Sequence, residues 1–228
     1  MNSHKQTKGK CVFCKRKYTA GGLVRHLQAC DERREAIEYA REGREREQKL
    51  YHLYIRNEYD SDFWLHLEMN GTAPLDELDD YLREIWLECC GHLSQFTYGT
   101  RPWGTEISME QNLEQIAEPD FEMTHVYDFG SSTQTRIKVS DVRRGKPLSE
   151  YPIYLMARNN LPKILCEKCN KKATWLYEDY EDPYGEMIAL CDQHINDYQD
   201  EYGEGIIEIV NSPRLGVCGY TGPAVSPY

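Results

Sequence analysis

The chain has 228 residues, of which 40% are hydrophobic, 29% are charged and nine are cysteines. This length allows one medium-sized domain with small appendages, and the hydrophobic fraction suffices for a packed core. No apolar run approaches the roughly 20 residues that a membrane-spanning helix needs, and residues 1–10 lack the apolar stretch of a secretory signal. These features predict a cytoplasmic protein whose cysteines stay reduced, which favours metal binding over disulfides.

The formal net charge of −11 is distributed unevenly along the chain. Residues 1–30 carry seven Lys or Arg, beginning with Lys5, and no Asp or Glu, while the remainder has 20 basic and 38 acidic residues, a net charge of −18. A basic arm on an acidic body indicates that the arm would contact any polyanionic partner. The alternative is an arm that is merely solvated and keeps the protein soluble.

Four potential metal ligands occur in this arm with the spacing C-x2-C-x11-H-x3-C. Three thiolates and an imidazole are the closed tetrahedral set that structural zinc prefers. A module this short has little core of its own, so a metal ion would supply most of its folding free energy, roughly 10–16 kcal/mol in comparable peptides. Residues 1–30 are therefore predicted to form a zinc finger, with the ligands Cys11, Cys14, His26 and Cys30.

Residues 31–50 are rich in Glu and Arg, with oppositely charged pairs such as Arg34/Glu38 and Glu42/Arg46 four residues apart. Such pairs stabilise a solvent-exposed helix, and the apolar positions are too few for a coiled coil. The segment is predicted to be a charged helical linker that separates the finger from the body. The finger is therefore expected to fold and unfold independently.

Residues 51–160 mix strand and helix periodicity. Alternation over 51–55, 63–69, 123–129 and 135–139 predicts strands, the last two joined as a hairpin, and 92–96 predicts another. Pro74 precedes apolar residues spaced three and four apart as far as Cys89, which predicts a long helix, and a short helix is predicted within 105–118. Cys89-Cys90 is interpreted as a pair of small apolar residues on the long helix. The prediction is an α+β domain with a mixed sheet.

Several segments of this body occur in a recognisable order: Leu53-Tyr54-Ile55, Phe63-Trp64, the 75–82 helix, His92-Leu93-Ser94-Gln95-Phe96 and Tyr127-Asp128-Phe129-Gly130. In that order they resemble the plasmid pRiA4b ORF-3-like family over about residues 50–150. The resemblance implies an α+β fold found in bacterial and archaeal proteins, some linked to mobile elements, with no settled activity. Family members usually continue with Asp and a Ser/Thr-Trp pair, where this chain has Ser131, Ser132 and Thr133. A site built on those family residues would be lost here.

Residues 161–228 contain a second ligand set with the spacing C-x2-C-x21-C-x2-H. Two strands are predicted between its halves, at 173–177 and 187–190, an arrangement that resembles a zinc ribbon or treble clef. Four protein ligands leave no open position, so catalysis at this metal is not expected. A redox pair is the alternative for the first two cysteines, but it leaves the downstream Cys and His unexplained. The predicted ligands of a second zinc ion are Cys166, Cys169, Cys191 and His194.

These features predict a non-enzymatic protein with two structural zinc ions that recognises a macromolecule, either nucleic acid or a protein partner. No P-loop, nucleophile-elbow or zinc-protease motif is present. The alternative is an enzyme of unknown class with a cleft in the central domain, where His66, His92, His125 and Asp128 are candidate proton-transfer groups. His125 and Asp128 are three residues apart in a predicted strand, so they are expected on opposite faces. The predicted phosphate contacts are Lys8, Lys10, Lys15, Arg16, Lys17 and Arg25.

Overall fold

A computed structural model of the protein describes residues 6–118, 120–178, 187–198 and 205–223. Nine strands within these ranges form one large sheet: β1 (Lys8–Cys11), β2 (Lys17–Thr19), β3 (Gln48–Asn57), β4 (Trp64–Asn70), β5 (Ser94–Tyr98), β6 (Glu106–Ile107), β7 (Glu122–Tyr127), β8 (Thr133–Gly145) and β9 (Ile153–Asn159). Their spatial order is β2-β1-β9-β4-β3-β8-β7-β5-β6. The α+β class is confirmed, but each described pairing is antiparallel, so the sheet is not mixed.

The helices are shorter than the sequence patterns predict. They are α1 (Ala20–Ala29), α2 (Asp31–Ala40), α3 (Leu75–Leu82) and α4 (Leu113–Ile116), with a π-helical turn at Arg83–Leu87 and a 3-10 turn at Ile195–Tyr198. The charged helix stops at residue 40, and residues 48–50 belong to β3 rather than to the predicted linker. Part of the predicted 105–118 helix is instead strand β6, which pairs with β5. Along the described residues, no helix is long and apolar enough to cross a membrane.

A second, small sheet lies near the end of the chain. Its described strands are β10 (Trp175–Tyr177), β11 (Ile188–Leu190) and β12 (Ile206–Glu208), in the order β11-β10-β12. The first two were predicted from their apolar residues, and their antiparallel pairing is confirmed. The third strand was not predicted.

Helices pack on both faces of the large sheet. On one face, apolar residues of β3 and β4, such as Ile55 and Leu65, pack against Leu78 and Leu82 of α3. Strand β4 is buried on its other face as well, where Trp64 packs against α1 and Glu68 forms an ion pair with a residue of α2. The predicted hairpin is present as β7 and β8.

The finger is built into the edge of this sheet. Strand β1 pairs with β9, with Gly9 opposite Asn159. Leu23 and Leu27 of α1 are fully buried and pack with Trp64 of the central domain. A Cβ atom on Gly9 would lie 1.9 Å from the carbonyl oxygen of Arg158, so this close approach of two strands requires glycine. The expectation of an independent finger is therefore wrong.

A buried hydrogen bond connects α3 to β7. Nε2 of His125 lies 2.7 Å from Oδ1 of Asp79, and the His125 side chain is fully buried. Burial raises the pKa of Asp79, but hydrogen bonds from His125, Ser94 and Arg83 outweigh this effect and lower it to about 2. Because the folded-state pKa is below the ordinary value of 3.8, this carboxylate contributes stability above that pH and loses it as the pH falls towards 2.

Asp79→Asn is expected to remove part of the acid sensitivity of the fold. Between pH 4 and pH 2 the parent protein should lose on the order of 2 kcal/mol of unfolding free energy through this carboxylate, a loss that the amide cannot show. Urea denaturation at several pH values in this range measures the difference. Parallel pH profiles for parent and variant would contradict the prediction.

Candidate metal centres

The predicted ligands of the finger come together in the structure. Cys11 ends β1, Cys14 lies in the turn before β2, His26 lies on α1, and Cys30 follows that helix. Their ligand atoms all lie within 4.8 Å of one another, and Sγ of Cys14 is 3.3 Å from Nε2 of His26. Burial raises the pKa of Cys30 to about 12. A bound cation is therefore needed to keep this thiol deprotonated at neutral pH.

The second predicted set has the dimensions of a tetrahedral site. Zn–S bonds of about 2.3 Å and Zn–N bonds of about 2.0 Å place two sulfur ligands about 3.8 Å apart, and sulfur and nitrogen about 3.5 Å apart. His194 Nδ1 is 3.5 Å from Sγ of both Cys166 and Cys191, and Cys169 Sγ is 3.7 Å from Cys191 Sγ. Burial raises the pKa of Cys166, but hydrogen bonds from surrounding backbone N–H groups and from His194 lower it to about 6. This donor set fits a metal ion with thiolate ligands.

A third cluster was not predicted from the sequence. Cys89, Cys90, His92 and Cys218 place their ligand atoms within 4.8 Å of one another. The interpretation of the cysteine pair as helix residues is wrong, because the helical turns stop at Leu87 and the two cysteines follow in a loop. His92 also precedes the strand in which it was expected, since β5 starts at Ser94. The available signal was Cys-Cys-Gly-His, three possible ligands within four residues.

The six described basic residues of the finger are all exposed: Lys8, Lys10, Lys15, Arg16, Lys17 and Arg25. Lys10 lies directly opposite Lys17 of β2 on one side and Arg158 of β9 on the other, so the three side chains form a row on one face of the sheet. Arg25 belongs to α1, which covers the opposite face. Lys5 lies outside the described residues.

A groove adjoins this cationic row. It has a volume of about 580 Å³, and its lining includes Lys10, Lys15, Arg158 and three asparagines. Burial lowers the pKa of Arg158 to about 10, so this guanidinium remains charged at neutral pH. In the described part of the chain, no carboxylate lies within salt-bridge distance of the six finger cations.

The candidate proton-transfer groups do not form one site. Nδ1 of His66 is 2.8 Å from Nε2 of His52, and burial lowers the pKa of His66 to about 4. His125 contacts Asp79, whereas Asp128 follows the last residue of β7 and accepts a hydrogen bond from Arg214. His92 lies in the third cluster, where its Nε2 is 3.5 Å from Oδ2 of Asp128, so these two candidates are neighbours.

The segment of residues 211–220, here called the C-terminal segment, packs on the central domain. The hydroxyl of Ser212 donates to the carbonyl oxygen of Trp86 at 2.6 Å. Arg214 is fully buried and donates to Oδ2 of Asp128 at 2.6 Å and to the carbonyl oxygen of Ser131 at 3.0 Å. The sequence did not indicate a role for this segment, and the structure shows it in contact with the loop that follows α3.

No family model matches this chain, and no curated protein matches it. A search of solved structures finds similarity to a protein of unknown function from Methanosarcina mazei Go1, with 18% sequence identity and a TM-score of 0.39. The match covers 46% of this chain and 66% of that protein, slightly less than two thirds of its length. The resemblance to the plasmid pRiA4b ORF-3-like family stays a prediction.

Proposed function

We propose that this protein is a zinc-stabilised binding protein that contacts nucleic acid through the basic edge of its large sheet. The observation that carries the proposal is the row formed by Lys17, Lys10 and Arg158, which are direct neighbours on three adjacent strands. Lys10 and Lys17 face each other across the ladder of β1 and β2, and like charges in such positions destabilise it, whereas Arg158 also donates to the carbonyl oxygen of Asn211. An anionic ligand would relieve this repulsion, and a phosphodiester backbone supplies negative charges at regular spacing.

The proposal assigns one zinc ion to each of the two predicted sites. In the finger, zinc on Cys11 and Cys14 would fix the turn that carries Lys15 and Arg16, next to the groove. The second zinc would hold the small sheet together, since Cys166 and Cys191 are buried in its apolar cluster. Each ion would have four protein ligands, so both would serve structure rather than catalysis.

Sequence preference of the bound nucleic acid is expected to be slight. Contacts to phosphates fix the position of a protein but do not read bases. The groove adds Asn159, Asn160 and Asn211, whose amides can donate to phosphate or sugar oxygens. The acidic charge outside residues 1–30, a net −18, would repel nucleic acid and so confine binding to this edge.

The triple variant Lys8→Gln, Lys10→Gln, Lys17→Gln is expected to weaken binding and its salt dependence. If the parent neutralises about five phosphates, log K should fall with log salt concentration with a slope of about −4 to −5 on duplex DNA. Loss of three phosphate contacts should make the slope less negative by about 2.7. Fluorescence anisotropy with a labelled duplex at several salt concentrations measures both slopes.

The matched control is Lys163→Gln, Lys171→Gln, Lys172→Gln. These lysines are also exposed but lie outside the finger, and their replacement changes the net charge equally. The control should bind like the parent. An equal loss in both triple variants, or no salt-dependent binding by the parent, would contradict the proposal and would leave a protein partner as the alternative.

A further inference from the structure

The nine cysteines of this chain fall into three clusters of the same composition. Each cluster has three cysteines and one histidine, and no cysteine is left over. In two of these clusters the spacing of the ligands along the sequence predicts a zinc site. The third combines a short run, Cys89, Cys90 and His92, with Cys218 from the far end of the chain.

The distances in the third cluster approach those of a tetrahedral zinc site. Sγ of Cys90 is 3.8 Å from Sγ of both Cys89 and Cys218, which matches the separation of about 3.8 Å between two thiolate ligands of zinc. Nε2 of His92 is 3.1 Å from Sγ of Cys90 and 3.3 Å from Sγ of Cys218, slightly less than the sulfur–nitrogen separation of about 3.5 Å. Small side-chain adjustments would therefore seat an ion between the four groups.

Buried groups hold this cluster in position. The ring of Tyr127 lies between the guanidinium groups of Arg83 and Arg214, each 4.8 Å from the ring centroid. Arg83 donates to the carbonyl oxygen of His92 at 2.7 Å, which fixes the loop that carries three of the ligands. Arg214 donates to Sγ of Cys89 at 3.5 Å, and a positive donor at this position favours thiolate over thiol.

We propose that Cys89, Cys90, His92 and Cys218 bind a third zinc ion, which fastens the C-terminal segment to the central domain. The ion would join Cys218 to ligands that are 126 to 129 residues away in sequence. Unlike the other two sites, this one is at the surface, since Cys90 and Cys218 are both exposed. The ion would therefore exchange with solvent and chelators more readily than zinc at the two more buried sites.

Zinc content measured with and without this cluster tests the proposal. The full chain, purified with zinc and a reductant, is expected to hold one zinc ion more than the double variant Cys90→Ser, Cys218→Ser. The matched control Leu93→Ser, Val217→Ser changes neighbouring residues but no ligand, so it should keep the parent content. The difference between parent and variant reports on this site alone, whatever the other two sites hold.

Proteolysis gives a second measurement on the same proteins. Loss of the ion should let the C-terminal segment open, so trypsin should cleave after Arg214 at least about tenfold faster in the double variant than in the control. Equal zinc content in parent and double variant would overturn the proposal. A disulfide between Cys90 and Cys218 in the parent, seen as two missing thiols on titration, would also overturn it.

Discussion

Arg214→Met is expected to lower the free energy of unfolding by about 3 to 5 kcal/mol. The guanidinium of Arg214 is fully buried, and its ion-pair partner Asp128 is 5% exposed. Methionine fills much of the same space but leaves the nearly buried carboxylate of Asp128 with its backbone N–H donors and without its guanidinium partner. An unpaired buried charge costs far more than the pair itself contributes. Urea denaturation of the parent and variant measures the effect.

An exposed ion pair provides the matched control for this substitution. Arg34 pairs with Asp31 on the surface of α2, and both side chains are more than 60% exposed. Arg34→Met removes the same chemical group, but the expected loss is below about 1 kcal/mol because water screens the remaining charge. Similar losses in the two variants would show that the Arg214–Asp128 pair is solvated. The double variant Arg214→Met, Asp128→Asn should recover part of the lost stability.

Cys14→Ser is expected to destabilise the central domain as well as the finger. Without its metal the finger should detach and expose Leu23, Leu27 and the Trp64 ring, all fully buried in one cluster. Each such side chain contributes about 1.5–3 kcal/mol when buried, so a total loss of at least about 3 kcal/mol is expected. For a chain of this size the melting temperature should fall by about 6 to 12 °C. Circular dichroism of the large sheet during heating measures it.

Gly9→Ala separates two contributions to the melting temperature: the pairing of the finger with the large sheet and the binding of its metal ion. The added methyl group would meet the backbone of Arg158, so β1 should move away from β9 while all four ligands remain. This variant is expected to keep its zinc content yet melt at a lower temperature than the parent. An unchanged melting temperature in Cys14→Ser, together with loss of one zinc ion, would show that the finger does not stabilise the sheet.

The sequence predicts those elements whose apolar residues recur with the period of a strand or a helix and so face one core. The hairpin of β7 and β8 and the start of the helix after Pro74 follow from local periodicity, because their buried faces are set within each segment. The two predicted ligand sets were also local, since each brings four donors together over at most 30 residues. Within such short segments, residue type and spacing nearly determine the geometry.

The position of the finger could not be predicted in the same way. Burial of Glu68 on the second face of β4 depends on Arg33 and Arg143, which both pair with its carboxylate, and Arg33 lies in a segment predicted to be a solvent-exposed linker. The sequence pattern reports that a charge is present but does not identify its partner. The third cluster could not be predicted for the same reason. Cys218 contacts Cys90 only after the C-terminal segment has packed on the central domain.

The pairing of β1 with β9 also has a consequence for how the chain is synthesised. Strand β1 leaves the ribosome before β9, and residues 157–159, which complete its pairing, follow roughly 8 to 30 s later at ordinary rates of translation. During that interval the finger can bind metal, since its ligands lie within residues 11–30, but one edge of β1 stays open. Open edges invite aggregation, and lysines on edge strands oppose it. Lys8, Lys10 and Lys17 are therefore expected to protect the nascent chain before they contact any ligand.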